Sequence, residues 1–348
     1  MDAAHVDTRS KATGSDGVWR AAAKRFRGDR VGMAALAVVG LYVLLVIAAM
    51  AGLVGRNWQT EAGVPNAPPT FMGPAAPGET LAIASPSGPN ADISAVDPLA
   101  PRYAEWAEAA KKYQTKAATR AETLPFGGDR LGRDVLSKAV KGAQISIFVG
   151  VAAALLATAI GTVLGALSGF FGGKVGDLLE WVYNVFTAIP GILLIFAFAA
   201  VFGRGIGSVV LILGLAGWTG IYRLIRAEFI KHAVRDYVRS AEAIGAGNVS
   251  RMFRHILPNV SHVVLVQLSI LVVAFIKSEV ILSYLGLGVG VDQVSWGTML
   301  AEAQSELILG YWWQLAAATI LMAVFVTAFS LMTDALRDAL DPKLRGLE

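Results

Sequence analysis

The chain has 348 residues, 55% of them hydrophobic and 16% charged, with a formal net charge of +4 and no cysteine. It is too apolar for an ordinary soluble domain and too poor in charge for a disordered chain. Disulfides, thiolate chemistry and cysteine-based metal sites are excluded, and no basic, aromatic-laced stripe marks a nucleic-acid partner.

Six apolar runs reach the ~20 residues that a helix needs to cross a ~30 Å hydrocarbon core. In chain order they are residues 31–54, 144–168, 178–202, 206–225, 260–284 and 312–333. Helices are expected because every backbone N–H and C=O in lipid must pair within its own segment. The alternation of a barrel strand is absent. The polar leader 1–30 is too long, and the run behind it too extended, for a cleavable signal peptide, so 31–54 is read as an uncleaved first span.

The segment 55–143 follows. Its stretch 64–101 holds nine of the thirteen prolines and predicts irregular chain without a core of its own. In 102–122, Tyr103, Trp106, Ala110, Tyr113 and Ala117 recur at helical spacing, with Glu108 and Lys112 four apart. This predicts a short amphipathic helix lying on the membrane domain. Span two carries Ala153, Ala157, Gly161, Gly165, Gly169 and Gly173 at four-residue intervals, a row that lets helix backbones approach closely. Pro190 should kink span three or open a backbone site.

Between spans four and five lies a polar, basic stretch, Tyr237–Pro258. Its first half holds Ser240, Ala241, Ala243, Gly245, Ala246 and Gly247, and it ends on His255-Ile256-Leu257-Pro258. The pattern predicts one helix over 231–243 and a second over 249–256, with Gly245-Ala246-Gly247 as the joint and Asn248 as N-cap. Small residues there would let a partner surface come close, and Arg239, Arg251 and Arg254 could meet acidic groups on it. Lys and Arg gather in the leader and in this stretch, whereas 285–311 has none. The positive-inside rule therefore puts both termini and the 237–258 stretch on the cytoplasmic side.

Few ionisable groups fall inside spans. Glu180 lies near the inner end of span three, and Lys277 and Glu279 near the outer end of span five. Each either lines a permeation path or snorkels to the interface. Asn184, Pro190 and Ser283 join Lys277 and Glu279 as candidate path-lining positions. The stretch 169–175 fails the phosphate-loop pattern, because Val175 follows Lys174 where Ser or Thr is needed. Ser168 with His262 is a poor hydrolase pair, and the four histidines show no metal spacing.

Several ordered blocks carry a resemblance. They are Phe126-Gly127-Gly128-Asp129-Arg130-Leu131-Gly132-Arg133-Asp134-Val135-Leu136-Ser137, Gly169-Phe170-Phe171-Gly172-Gly173 with Asp177, the stretch 237–258, Glu279 with 282–288, 295–300, Trp312-Trp313 and 336–342. Together they resemble the inner-membrane permease subunits of ABC importers of the dipeptide, oligopeptide and nickel type (DppC/OppC-like). The stretch 237–258 resembles the family's EAA loop, with Arg239-Ser240-Ala241 at the EAA triplet. Trp181 and Asn184 stand where that family commonly has Arg and Asp.

The resemblance implies an all-α membrane protein of six transmembrane helices, with the type I ABC importer permease (MetI-like) fold and a cytoplasmic coupling helix. It divides the chain into a leader (1–30), a first span (31–54), an external segment (55–143), a five-helix core (144–334) containing the EAA loop 231–258, and a cytoplasmic tail (335–348). Coupling would fall to Tyr237, Arg239, Ser240, Ala241, Gly245, Ala246, Arg254, His255, Leu257 and Pro258. The implied partners are a second homologous permease, two cytoplasmic ATP-binding subunits, an extracytoplasmic substrate-binding protein and membrane lipid, with no nucleic acid. This chain would hold no cofactor and catalyse nothing. ATP and Mg would be bound by the partner ATPase subunits. The location implied is the bacterial plasma membrane and the cargo a short peptide. Nickel chelates, glutathione or sugars are alternative cargoes, and an ion-coupled secondary transporter is the alternative class.

Overall fold

In a computed structural model that describes residues 18–74, 97–111, 120–290 and 292–340, two helices precede the external segment. They are α1 (Val18–Gly28) and α2 (Arg30–Met50), parted by Asp29, whose Oδ1 caps α2 by accepting from Val31 N–H at 2.9 Å. After the external segment come α3 (Tyr103–Lys111), α4 (Val135–Phe171), α5 (Gly173–Ala188), α6 (Gly191–Phe202), α7 (Ile206–Ala216) and α8 (Thr219–Ala233). Then follow α9 (Asp236–Ala243), α10 (Asn248–Ser250) with a π turn over Arg251–Ile256, α11 (Leu257–Tyr284), α12 (Trp296–Ile308) and α13 (Trp313–Leu340). Among the described residues there are only isolated β-bridges. Arg9 and Lys11 of the leader, most of the proline-rich stretch, Lys112, Tyr113 and Ala117, and Asp341-Pro342 lie outside the described residues.

Among the described residues four helices are long and apolar enough to span a membrane, and the count rises to six if each of two bent pairs is one span. The third and fourth runs, expected as single spans, are these pairs. The α5–α6 pair bends by 91°. Ile189 is extended (φ −94°, ψ 130°), as a residue before proline prefers, and Pro190 starts α6 because its missing N–H needs no partner there. At 1.5 Å per residue the two arms measure about 24 and 18 Å, so neither crosses alone. The α7–α8 pair bends by 43° at Gly217 and Trp218. Phe275 of α11 fills the space beside Gly217, where a Cβ would meet its ring at 2.2 Å.

Helix α4 runs through the middle of the bundle and contacts α2, α5, α7, α8, α11, α12 and α13. Its start at Val135 lies nine residues before the expected core boundary at 144. The small-residue row faces α8: a Cβ at Gly161 would sit 2.6 Å from Trp218 O, one at Gly165 2.7 Å from Tyr222 O, and one at Gly169 2.5 Å from Arg226 O. Each glycine on α4 thus meets one turn of α8. The row ends there, because Gly173 opens α5 with nothing near it. Ser168 lies in this seam and accepts from Tyr222 Oη and Arg226 Nε, both at 3.0 Å, so its role is packing.

The end of the bundle that carries the external segment is tied down by a buried charge cluster. Residues 61–73 and 120–134 are laced by backbone hydrogen bonds, among them Val64 N–H to Ala121 O at 2.9 Å and Gly128 N–H to Ala67 O at 2.8 Å. The first part of the proline-rich stretch is therefore paired, not free. Asp129, fully buried, accepts from the N–H groups of Leu131 and Arg133, from Arg133 Nε at 2.8 Å and from Lys138 Nζ at 2.7 Å. Lys138 lies on the first turn of α4 and also reaches Glu302 on α12 and Gln314 on α13. Trp313 Nε1 donates to Gly128 O at 2.7 Å. By contrast, residues 103–110 of α3 are all exposed, which corrects the expectation that this helix lies packed on the membrane domain.

Burial by itself would raise the Asp129 carboxyl, but the Lys138 charge and the donors around it outweigh burial and hold it below the usual carboxylate range. Its stabilisation is complete above the unfolded value near ~4 and is lost as pH falls through the lower folded value. Glu306 on α12 has the opposite sign. Burial raises it against the Arg130 N–H bond, and its Oε2 has no hydrogen-bond partner. Ionised Glu306 therefore costs stability, and the cost disappears as pH falls through its raised value.

Three variants test this packing. Gly165→Leu is expected to lower the melting temperature of the purified protein, equivalent to about 1–3 kcal/mol or more of overpacking. An unchanged melting temperature would show that the α4–α8 seam is not close-packed. Asp129→Asn is expected to cost about 1–3 kcal/mol at neutral pH, because buried Lys138 then keeps only Glu302 as its counter-charge. The difference from wild type should shrink as pH is lowered in thermal melts, whereas Glu306→Gln should be as stable as wild type or more so above neutrality.

Candidate functional site

The polar stretch after α8 folds as an elbow. Chain direction changes at Val234–Arg235, so the helix expected over 231–243 is split into the end of α8 and a separate α9. Helix α9 closes on Ile244, and Gly245 follows at φ +89°. Gly245 N–H bonds Glu242 O and Ala246 N–H bonds Ala241 O, both at 2.9 Å. That pair of bonds is the Schellman stop, and its left-handed position favours glycine. Gly247, not Asn248, is the N-cap of α10. Asn248 Oδ1 instead accepts from Arg251 Nη2 at 2.5 Å.

The second arm does not end at Pro258 but continues into α11 through the π turn, where Leu257 N–H reaches back five residues to Met252 O. Pro258 has no N–H and its ring crowds the preceding turn of an α-helix. A widened turn just before it relieves that crowding. Asn259 Nδ2 donates to His255 O at 2.6 Å and satisfies a carbonyl of this irregular stretch.

The inner face of the elbow is a small core of its own. Val238, Met252 and Ile256 are buried against Ile225 and Phe229 of α8, Ala166 of α4 and Val260 of α11, and Ala241 of α9 is buried as well. Ala241 thus faces inward, which corrects the reading that the whole small-residue cluster is a docking face. Arg251 braces the two arms: Nη1 meets Glu242 Oε2 at 2.7 Å, and the guanidinium lies 5.3 Å from the centre of the Phe170 ring. His232 Nδ1 and Tyr237 Oη are 2.9 Å apart and join α8 to α9.

The outer face is free. Tyr237, Arg239, Ser240, Gly245, Arg254 and Pro258 are exposed, and Ala246, His255 and Leu257 are half-buried. At the tip, Ile244 is 85% exposed and Val249 70%, with Phe253 beside them at 41%. Among the described residues Arg239 and Arg254 form no ion pair. Sequence reasoning missed Ile244, Val249 and Glu242. The available signal was two β-branched residues flanking a glycine joint in a polar stretch.

The candidate path residues do not share one surface. Asn184, Pro190 and Lys277 are exposed. Glu279 and Ser283 lie inside this chain's own core, with Ser283 Oγ donating to Glu279 Oε1 at 2.6 Å and Ser146 and Ser295 facing the same carboxylate. They join α11 to α4 and α12 and do not open on a free surface. Among the described residues no group of three or more His, Cys, Asp or Glu could hold a metal ion.

The elbow end also gathers α1 and the last turns of α13. Ala22 and Phe26 of α1 pack on Leu336, Ala339 and Leu340 of α13 and on Leu265 and Val266 of α11. The charge cluster of Asp129 and Lys138 occupies the opposite end.

The family model described as binding-protein-dependent transport system inner membrane component matches residues 161–346. The dipeptide transport system permease protein DppC of Bacillus subtilis (strain 168) is 34% identical over 220 residues, 63% of this chain and 69% of that protein. The oligopeptide transport system permease protein OppC of the same strain is 35% identical over 238 residues, 67% and 78% of the two chains. The glutathione transport system permease protein GsiD of Shigella dysenteriae serotype 1 (strain Sd197) is 38% identical over 223 residues, 64% and 73%. A chain of the inward-facing MetNI methionine ABC transporter aligns with a TM-score of 0.49 at 15% identity, over 59% of this chain and 96% of that one.

Gly245→Val is expected to destabilise the α9 stop by about 1–2 kcal/mol, since a β-branched residue must adopt a left-handed backbone. Hydrogen exchange should show faster exchange at Gly245 and Ala246, with α4 unaffected. Unchanged protection at those two amides would contradict the assigned turn.

Proposed function

The chain belongs to the family of binding-protein-dependent transport system inner membrane components, and on that premise we propose that it forms half of an ATP-driven path that imports short peptides. The other half is a second, homologous permease. Two cytoplasmic subunits bind ATP and Mg and hydrolyse the nucleotide, and a substrate-binding protein delivers peptide at the far side. The elbow end, with α1 and the end of α13, faces the cytoplasm of a bacterial cell. The excess of Lys and Arg at that end supports this orientation.

The observation that carries the reading is the tip of the elbow. Exposed apolar side chains mark a surface that something covers. Here Ile244, Val249 and Phe253 project from a polar stretch flanked by the unpaired Arg239 and Arg254. The apolar tip fits a groove on an ATPase subunit, and the arginines suit its acidic rim.

The elbow can transmit force because its inner face is fused to the bundle. A displacement of α9 moves Val238 against Phe229, Met252 and Val260, so α8 and α11 would move with it. The bends at Gly217 and at Ile189-Pro190 offer places where the spans can change angle without breaking the α4–α8 seam. Closure of the ATPase pair would thus shift the bundle between two packings of similar energy. Glutathione is itself a tripeptide, and the likeness to GsiD makes it the second cargo to test.

The test is ATP-dependent uptake by the complete complex in proteoliposomes, with dipeptides, oligopeptides and glutathione offered in competition. Ile244→Asp is expected to reduce uptake at least tenfold and to weaken retention of the ATPase subunits, while melting of the permease is unchanged. Uptake at the wild-type rate in that variant, or peptide movement without any ATPase subunit, would sink the proposal.

A further inference from the structure

Beside the elbow, a pocket of about 290 Å³ opens between α8, α11 and α13. Leu224, Val266 and Leu340 form its apolar wall, and His262, Gln267 and Arg337 bring polar groups to it. On α11 the lining residues 262, 263, 266, 267 and 270 form one continuous helical stripe. Every residue from Ser261 to Leu268 is half-buried, as in a helix segment flanking an open crevice.

Depth makes this stripe informative. At 1.5 Å per residue, His262 lies about 3 Å and Gln267 about 11 Å along α11 from Val260, where the fifth apolar run begins, and Arg337 lies beyond the end of the sixth run, so the stripe sits toward the elbow edge of the membrane. No hydrogen bond or ion pair joins His262, Gln267 or Arg337 to another described residue. Unpaired polar side chains on the wall of a crevice between spans are costly to cover with lipid and face water or solute instead. Basic residues elsewhere on α8 are engaged: Arg226 pairs with Glu180 at 2.6 Å, and Arg223 lies over the Tyr183 ring at 5.2 Å. Arg337, exposed at the end of α13 and without an ion-pair partner among the described residues, lines the pocket opposite an imidazole and an amide on the facing helix.

We propose that this pocket is a subsite on the cytoplasmic half of the path, where Arg337 receives the C-terminal carboxylate of a peptide in transit. Gln267 and His262 supply further hydrogen bonds from α11, and the apolar wall accommodates the last side chain. The planar fork of Arg337 suits a carboxylate through two parallel bonds. The assignment rests on the peptide reading given above. Because α8 and α11 both carry the elbow, displacement of the elbow would alter the pocket and release its occupant.

The experiment uses the complete complex in proteoliposomes and compares a free-acid peptide with its C-terminally amidated form. Arg337→Gln and Gln267→Leu are each expected to reduce uptake of the free acid about tenfold, the size of one charge-assisted hydrogen bond, and to leave the amidated peptide unchanged. Arg337→Lys should recover part of the loss. An equal effect on both peptides, or none, overturns the proposal. So does an effect that follows the anionic phospholipid content of the vesicles, since a headgroup would then be the occupant. A second arm measures binding of tritiated succinate and of tritiated free-acid peptide to the nucleotide-free complex without binding protein. Binding of succinate that is weakened in Arg337→Gln, with no peptide transport by wild type, keeps the carboxylate site and removes the peptide reading. Failure of both probes to bind wild type removes the site.

Discussion

The contact between α4 and α8 is the constraint on which the rest of the bundle depends. Lipid offers helices no hydrophobic reason to associate, so close backbone approach and dispersion must supply the attraction. Gly161, Gly165 and Gly169 remove the side chains that would keep α8 away, and α8 places Trp218, Tyr222 and Arg226 in register with them. The seam sets the position of the aromatic cluster, with Tyr222 stacked on Tyr183 at 5.3 Å and Trp218 against Phe186 at 5.3 Å, and so anchors α5. It also sets the position of Phe229, around which the elbow core is built. A shift of α8 would therefore disturb the bundle and the elbow together.

The two ends of the molecule solve different problems with different chemistry. Around Asp129 a buried carboxylate, an ammonium and an amide hold three helices and a loop in one arrangement, and misplacing any partner strands a charge. The elbow has no comparable buried ion pair. Its inner face is apolar, its stop is a glycine turn, and its brace between Arg251 and Glu242 is partly in solvent, with Glu242 60% exposed. A packed apolar face with a short turn can move as a body. The proposed coupling to ATPase subunits would use this contrast between an end held by buried charges and an end held by apolar packing.

Irregular helix geometry is concentrated at three places. The break at Ile189-Pro190, the bend at Gly217 and the π turn before Pro258 each follow from a residue that the regular helix cannot accommodate or a contact that needs a missing side chain. The first two lie in the helices that flank α4, and the third joins the elbow to α11.

The amino-acid sequence by itself determined the membrane class, the order of the apolar runs and the place of the elbow. Those features depend on run length and on local backbone demands, such as Gly245 after α9 and Pro190 between α5 and α6. Only the tertiary structure decided which face of each helix turns inward. A helix that is apolar all round has no periodicity to reveal its buried side, so Glu279 could be read as lining a path when it closes on Ser283 within the core. Pairings such as Lys138 with Glu302 and Gln314 join residues far apart in the chain, and no local pattern encodes them. The split of 231–243 and the exposure of α3 belong to the same class, because each depends on what the rest of the fold offers to pack against.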